Sequence, residues 1–143
     1  MTDRFIKLKE WIIHFLRHKD IINKNIVSIE ENDSGFDLHI KRKTESQYVL
    51  IKDKLDNVDE IISMINDKNV MIIVSNNKIN LDSLISNWAK LIKFSKLVIF
   101  FVNPNSSMDK KWSIYPYTHN MIIDRPALRK GLESLFEMVQ EWK

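Results

Sequence analysis

The fold is decided by one stretch of the sequence, SGFDLHIKRKTESQYVLIK, which occupies residues 34–52. In its first half apolar and polar side chains alternate, and this period of two is typical of a strand with one buried face. Short polar turns at residues 33–35 and 44–46 separate segments of strand character. The pattern therefore predicts an antiparallel meander of three strands, at residues 26–30, 36–43 and 47–52.

Helices and buried strands are predicted on either side of this meander. Apolar residues recur at helical spacing between Asp3 and His18, which indicates an amphipathic helix. Asn57, with Glu60 three residues later, is a variant of the capping box and predicts the start of a second helix. There follow a continuous apolar strand at residues 70–74, a helix with an apolar stripe from Leu81 to Ile92, and another apolar strand at residues 97–102.

The C-terminal third is predicted to add extended segments at residues 112–117 and 121–123, and then a last helix. That helix is expected to begin near Asp124, with Pro126 in its first turn, and to bury residues as far as Val139. The order αβββαβαββα predicts one α/β domain over residues 1–143. Its central sheet should be mixed, an antiparallel meander followed by parallel strands, with helices on both faces.

Composition excludes several classes of site. The 143 residues are 44% apolar and 29% charged, which is an ordinary globular composition. The chain has no cysteine, which excludes disulfides, thiolate nucleophiles and iron–sulfur sites, and its two glycines cannot build a nucleotide-binding loop. A net charge of +3 permits an anionic partner without requiring one. We find no signal peptide and no membrane-spanning run, so a cytoplasmic location without membrane contact is expected.

Two polar residues of the meander carry a family resemblance. Asp37 lies in the second predicted strand, and Lys52 ends the third, two positions after Leu50. This arrangement resembles the PD-(D/E)xK nuclease-like superfamily, whose members place an aspartate on the second strand and a Glu-x-Lys on the third. In those enzymes the two carboxylates hold magnesium and the lysine acts on the attacking water. Here leucine occupies the glutamate position, 13 residues after Asp37 (50 − 37), so the chain resembles a degenerate member.

The resemblance implies a non-catalytic nuclease-like domain that serves as a binding or assembly module, with DNA or RNA as the candidate partner. One alternative is a magnesium-dependent nuclease with a relocated carboxylate, in which Asp37 is the metal ligand and Lys52 lies near the water. Glu10 is not expected to replace the missing glutamate, because its helical position faces solvent. A further alternative is a protein-interaction domain unrelated to nucleic acid. Outside the nuclease alternative, no cofactor is predicted.

The densest basic segment is a second candidate site. Lys41, Arg42 and Lys43 are consecutive, and Lys52 and Lys54 are expected across the turn from them. A phosphate backbone could contact such a cluster. The competing interpretation is a solvated hairpin whose charges protect an edge strand from pairing with another chain.

The segment around residues 112–119 is a third candidate. Tyr115, Tyr117 and His119 could stack on bases or line a ligand pocket, or the aromatic rings could instead plug the sheet edge. The sequence leaves open whether this segment is surface or core. Together with the last helix, it could also form a homodimer interface.

Two histidines four residues apart, His14 and His18, have a spacing that can bind a transition metal. Arg17 and Lys19 lie beside them and would repel a cation, and no third ligand is near in the sequence. We therefore interpret this pair as part of a solvated helix face.

Overall fold

The computed structural model describes residues 2–143 and has a single six-stranded sheet with helices on both faces. The strands are β1 (Ile26–Asp33), β2 (Phe36–Arg42), β3 (Gln47–Lys52), β4 (Val70–Ser75), β5 (Val98–Val102) and β6 (Lys111–Ile114). The helices are α1 (Asp3–Lys19), α2 (Val58–Ile65), α3 (Lys78–Ser86), α4 (Trp88–Leu91), α5 (Pro116–Ile122) and α6 (Leu128–Phe136), with a 3-10 turn at Arg125–Ala127. Within residues 2–143, no helix is long and apolar enough to cross a membrane.

The sheet has its strands in chain order, β1-β2-β3-β4-β5-β6. β1, β2 and β3 pair antiparallel, β3, β4 and β5 pair parallel, and β6 returns antiparallel beside β5. This confirms the predicted α/β fold with a mixed sheet. In the pairs that frame the candidate site, Leu38 lies opposite Val49, and Leu50 lies beside Ile72.

Two hydrophobic cores lie on the two faces of the sheet. On one face α1 packs through Leu8, Ile12 and Leu16, all buried, against side chains of β2 to β5. The other face is covered by the later helices, with Trp88 nearly inaccessible at its centre. The predicted helix at residues 3–18 is thus confirmed, and the Thr2 hydroxyl caps it by accepting from the N–H of Phe5 at 3.1 Å.

The capping box predicted at Asn57 is wrong, although the helix it introduces is present as α2. Asn57 has a left-handed backbone, with φ 51°, and its side chain makes no capping hydrogen bond. A capping side chain needs an extended backbone at that residue to reach back to the first N–H groups, and a left-handed residue does not provide it.

The apolar stripe from Leu81 to Ile92 is divided between α3 and α4 instead of forming one helix. The break falls at Asn87, whose backbone leaves helical geometry. Its side-chain amide donates to the carbonyl of Ser83 at 2.8 Å. Such local side-chain bonds compete with the helix ladder, which is why asparagine favours helix ends.

Two predictions for the C-terminal third are also wrong. Residues 121–123 were expected to be extended, but Met121 and Ile122 lie in α5, which Pro116 begins at its first turn. The last helix ends at Phe136, so Val139 is not helical. Val139 is nevertheless buried, because the segment after α6 runs back along the edge of the sheet and bridges Asp109.

Candidate nucleic-acid interface

Asp37 lies near the beginning of β2, one residue before the first position of that strand that pairs with β3. Its carboxylate Oδ2 accepts from the backbone N–H of Ile51 at 2.7 Å. A side-chain hydrogen bond therefore joins β2 to β3 at this end of the pair. Burial raises the pKa of Asp37, while the hydrogen bond from Ile51 and the charges of Lys9 and Lys52 oppose the rise without cancelling it. Ionisation of Asp37 therefore lowers the free energy of unfolding of the chain.

Asp37→Asn is expected to stabilise the fold at neutral pH. A raised pKa means that the native state binds the proton more tightly than the unfolded chain, so stability falls as pH rises from the ordinary value of 3.8 through the native pKa. Asparagine removes this penalty and can still accept from Ile51. Chemical denaturation at several pH values should show a variant advantage at pH 7 that fades under acid conditions. An Asp37→Asn protein less stable than the wild type at pH 7 would contradict this assignment.

Lys52 is near Asp37, but its ammonium group forms an ion pair with a different carboxylate. Its Nζ lies 3.1 Å from Oδ1 of Asp56 and donates to the Asp56 carbonyl at 3.3 Å. Leu50, in the family's glutamate position, is 7% exposed and packs into the core beneath the later helices. The structure thus brings Asp37 and Lys52 to one end of a paired β2–β3 unit, with an apolar side chain between them.

In the part of the chain that the structure describes, Asp37 is not grouped with other potential metal ligands. Within residues 2–143, the one group of three or more histidine or acidic side chains with ligand atoms close enough to share an ion is Glu30, Asp33 and His39. Asp37 does not belong to it. Glu10 is exposed, as expected from its helical position, and offers no replacement carboxylate there.

The predicted basic cluster is separated into three parts. Arg42 ends β2 and Lys43 follows it, beside the beginning of β3, while Lys52 ends β3 and Lys54 follows it. The five steps from Gln47 to Lys52 span about 17 Å in an extended strand. Lys41 is paired with Glu30 at 3.1 Å. The expectation that all five lie across one turn is wrong, because β3 carries the chain away from the turn before Lys52 is reached.

Arg42 lines a groove with a volume of about 520 Å³. We call it the α1–sheet groove, since it lies between the C-terminal end of α1 and the beginnings of β3 and β4. Six of its lining side chains supply the charges, amide and rings discussed below: Phe15, Lys19, Arg42, Gln47, Phe100 and Tyr115. Arg42 is held toward the groove by Gln47, whose Oε1 accepts from its Nη2 at 3.3 Å.

Lysines and aromatic rings are packed together at the groove. The Nζ of Lys111 lies 5.5 Å from the ring centre of Phe15 and 5.2 Å from that of Phe100. Lys19 lies 5.2 Å from Phe15 on the same side. Burial lowers the pKa of Lys111, and the positive charge of Lys19 lowers it further, while Asp109 acts in the opposite direction. Two ammonium groups that disfavour each other's charge would be relieved by an anion between them.

One acidic side chain, Asp20, lines the groove within the described residues. Its two oxygens accept from the backbone N–H groups of Asn25 and Ile26, at 2.8 and 2.9 Å. Burial pushes the pKa of Asp20 upward, but these two hydrogen bonds and the nearby Arg42 and Lys43 bring it below its ordinary value. The carboxylate of Asp20 is thus hydrogen-bonded to the backbone that follows α1 and stabilises that turn.

The aromatic segment is divided between core and surface, since Trp112 is buried while Tyr115 and Tyr117 are exposed. Tyr115 is 52% exposed and lines the groove, and Tyr117 is also exposed, on α5. His119 points the other way, against the edge of the buried Trp88 ring. Burial lowers the pKa of His119, so the neutral form is favoured there. Tyr115 is therefore the one of these three residues that meets the basic groove.

The opposite edge of the sheet, at the carboxyl ends of the parallel strands, is packed against the segment after α6, with a pocket of about 370 Å³ beside it. Ligands of α/β proteins commonly bind at that edge. Here the Asn76 amide donates to three carbonyls of the segment after α6, and Asn103 donates to the Gln140 carbonyl at 3.0 Å. Arg4 stacks on Trp142 at 3.8 Å and donates to Asp53 at 2.8 Å. Burial would raise the pKa of Asp53, but hydrogen bonds from Ser75 and Arg4 hold it below its ordinary value.

The sequence did not identify Phe15 or Lys19 as groove residues, or Lys111 as their neighbour. Helical spacing places Phe15 on the apolar face of α1, but it lies at the margin of that face and is only partly buried. Its stacking on Trp11, four residues earlier with ring centres 4.9 Å apart, is the local signal that could have marked an aromatic margin. Comparison of the chain with protein-family models, with curated proteins and with solved structures found no match in any of the three.

Proposed function

We propose that this chain is a non-catalytic, nuclease-like domain that binds single-stranded nucleic acid in the α1–sheet groove. The proposal rests on one observation, that Arg42 and Tyr115 line the same groove. The sequence predicts phosphate contact for Arg42 and base stacking for Tyr115, at two separate sites. A nucleic acid needs both contacts along one path. We also propose a cytoplasmic location, where such a ligand is accessible.

The groove chemistry favours a single strand over a duplex. Exposed aromatic rings stack on unpaired bases, which offer a π-face that a duplex keeps covered. Tyr115 and the partly buried Phe15 supply such rings at the groove. Arg42 and Lys19 line the groove, and Lys111 lies beside two of its rings, so all three can supply positive charge for the phosphates. Asp20 is already engaged by backbone N–H groups.

Binding to a labelled single-stranded oligonucleotide is expected to weaken steeply with salt, and Arg42→Ala/Lys111→Ala should flatten that dependence. Loss of two phosphate contacts lowers the slope of log affinity against log salt by roughly 1.4 for a single strand. Tyr115→Ala should cost about 1–3 kcal/mol through lost stacking. Fluorescence anisotropy at several salt concentrations measures both effects.

The control for this experiment is Lys130→Ala, which removes an exposed lysine from α6 on the other face of the sheet. This variant should bind like the wild type. A duplex bound as tightly as the single strand would contradict the stacking assignment. Equal losses of affinity for Lys130→Ala and for the groove variants would show that binding depends on the overall positive charge of the chain and that the groove is not the site.

A metal-dependent nuclease remains the second candidate, favoured by Asp37 and Lys52 at one end of paired strands. Incubating branched, single-stranded and double-stranded DNA with magnesium or manganese separates the two. We expect no turnover, because Leu50 supplies no ligand and Lys52 is paired with Asp56. Cleavage that disappears in Asp37→Ala would replace our proposal with the nuclease.

A protein-interaction domain is the third candidate, and exposed apolar side chains on α5 favour it. Met121 and Ile122 are 70% and 80% exposed, and Tyr117 lies on the same short helix. Surface of this kind is enriched at protein interfaces, including those of homodimers. Absence of salt-sensitive nucleic-acid binding, together with self-association of the purified chain, would favour this function.

A further inference from the structure

A second cluster of chemically active side chains lies on the β1–β2 hairpin, away from the α1–sheet groove. Glu30 and His39 are directly opposite each other in the antiparallel register, and Asp33 precedes the hairpin turn. The Nδ1 of His39 lies 2.7 Å from Oδ2 of Asp33 and 3.8 Å from Oε1 of Glu30. One ligand atom from each residue lies within 4.8 Å of the other two.

The backbone of the hairpin brings the third residue onto the shared face. In a regular strand Asp33, three residues after Glu30, would point to the opposite side of the sheet. Asn32 and Ser34 on either side of it both have left-handed backbones, with φ 55°. These two residues interrupt the alternation, and the Asp33 carboxylate meets His39.

The imidazole of His39 is held in place before any ligand arrives. His39 is 7% exposed, and its ring stacks on Tyr48 with centres 4.4 Å apart and planes 11° apart. The side chain of Ser34 donates to Oδ1 of Asp33 at 2.9 Å, which leaves Oδ2 directed at Nδ1. Orientation of a ligand by such neighbours is typical of metal sites.

The second ring nitrogen of His39, Nε2, differs from Nδ1 in its hydrogen bonding. Within the described residues its Nε2 is buried and has no partner. If Nδ1 keeps its proton to bond Asp33, the Nε2 lone pair is buried without a donor. Hydrogen bonding therefore holds the ring through Nδ1 only, and a change of tautomer breaks no hydrogen bond at Nε2.

We propose that Glu30, Asp33 and His39 bind one divalent transition-metal ion of the zinc class. Three ligand atoms and a water complete a tetrahedral shell, and one imidazole with two carboxylates suits zinc or cobalt better than magnesium or calcium, which prefer oxygen alone. On binding, the ion takes the Nδ1 lone pair, and the proton that Nδ1 shared with Asp33 moves to Nε2, so the ring remains a neutral imidazole. The ammonium of Lys41, 3.1 Å from Glu30, turns away into solvent.

Calorimetric titration of the purified chain with zinc chloride tests the site, and cobalt chloride reports its geometry through visible absorption. We expect one ion per chain, with a tetrahedral cobalt spectrum. Asp33→Asn and Glu30→Gln are nearly isosteric changes at solvent-accessible positions, and each should weaken binding by roughly 10-fold or more. His39→Gln should weaken it at least as much.

The matched control is Glu31→Gln, which removes a carboxylate from the same strand that pairs instead with Lys9. It should leave the affinity within about twofold of the wild type. The His14→Ala/His18→Ala variant tests the competing histidine pair on α1, whose rings lie 6.3 Å apart. Binding that is absent in the millimolar range, that survives Asp33→Asn and Glu30→Gln, or that disappears in the His14→Ala/His18→Ala variant would overturn the proposal.

Discussion

Replacing Leu50 by glutamate is expected to lower the free energy of unfolding by about 3–5 kcal/mol and to create no metal site, because the new carboxylate would be buried without a partner. Leu50 is 7% exposed and packs in the core beneath α2 and α3. The substitution restores the glutamate of the family motif in sequence but places it among aliphatic side chains. Urea denaturation with and without magnesium measures the loss and any compensation by the metal.

Leu50→Met is the control, since it keeps the volume and the apolar surface and should cost less than about 1.5 kcal/mol. The opposite result for Leu50→Glu would be informative. A variant as stable as Leu50→Met, or one that magnesium stabilises and that cleaves DNA, would show that the core opens there. The chain would then be one substitution away from a working nuclease site, and the non-catalytic proposal would lose its structural basis.

The parts of the fold that the sequence predicted are those set by local pattern. The meander follows from alternation within single strands, and the parallel strands follow from continuous apolar runs, so both appear where expected. The approach of Asp37 to Lys52 was also predictable, because a short turn between neighbouring strands fixes their register.

The α1–sheet groove could not be predicted in the same way, because its residues come from four distant segments. Phe15 and Lys19 lie in the last turns of α1, Arg42 ends β2, Phe100 lies in β5 and Tyr115 follows β6. Their approach depends on the crossing of α1 over the sheet, which no local spacing encodes. The same limitation explains the basic cluster, where proximity in sequence suggested a single patch and the direction of β3 separated it.

Asn76→Ala is expected to be the other large loss, about 3 kcal/mol or more, because it removes a side chain that makes three hydrogen bonds to the C-terminal segment. Asn76 is completely buried. Its Oδ1 accepts from the indole N–H of Trp112 at 2.7 Å, and its Nδ2 donates to the carbonyls of Phe136, Val139 and Gln140 at 3.0 to 3.4 Å. Alanine leaves these buried groups without partners. Urea denaturation gives the loss, and carboxypeptidase digestion reports release of the terminus.

Asn77→Ala provides the matched control, because the neighbouring asparagine only caps α3 by accepting from the N–H of Asn80 at 3.0 Å, and its loss should cost about 1 kcal/mol. Asn76→Asp separates the two halves of the Asn76 side chain: it keeps the acceptor for Trp112 but presents a carboxylate to three carbonyls. We expect this variant to be no more stable than Asn76→Ala, because a buried charge facing carbonyl oxygens is doubly unfavourable. If Asn76→Asp instead matched the wild type, the three Nδ2 hydrogen bonds would contribute little, and the C-terminal segment would be held by its other contacts, such as those of Asn103 and Arg4. The carboxyl edge of the parallel strands would then be an openable site, and a ligand there would compete with the α1–sheet groove as the functional surface of the molecule.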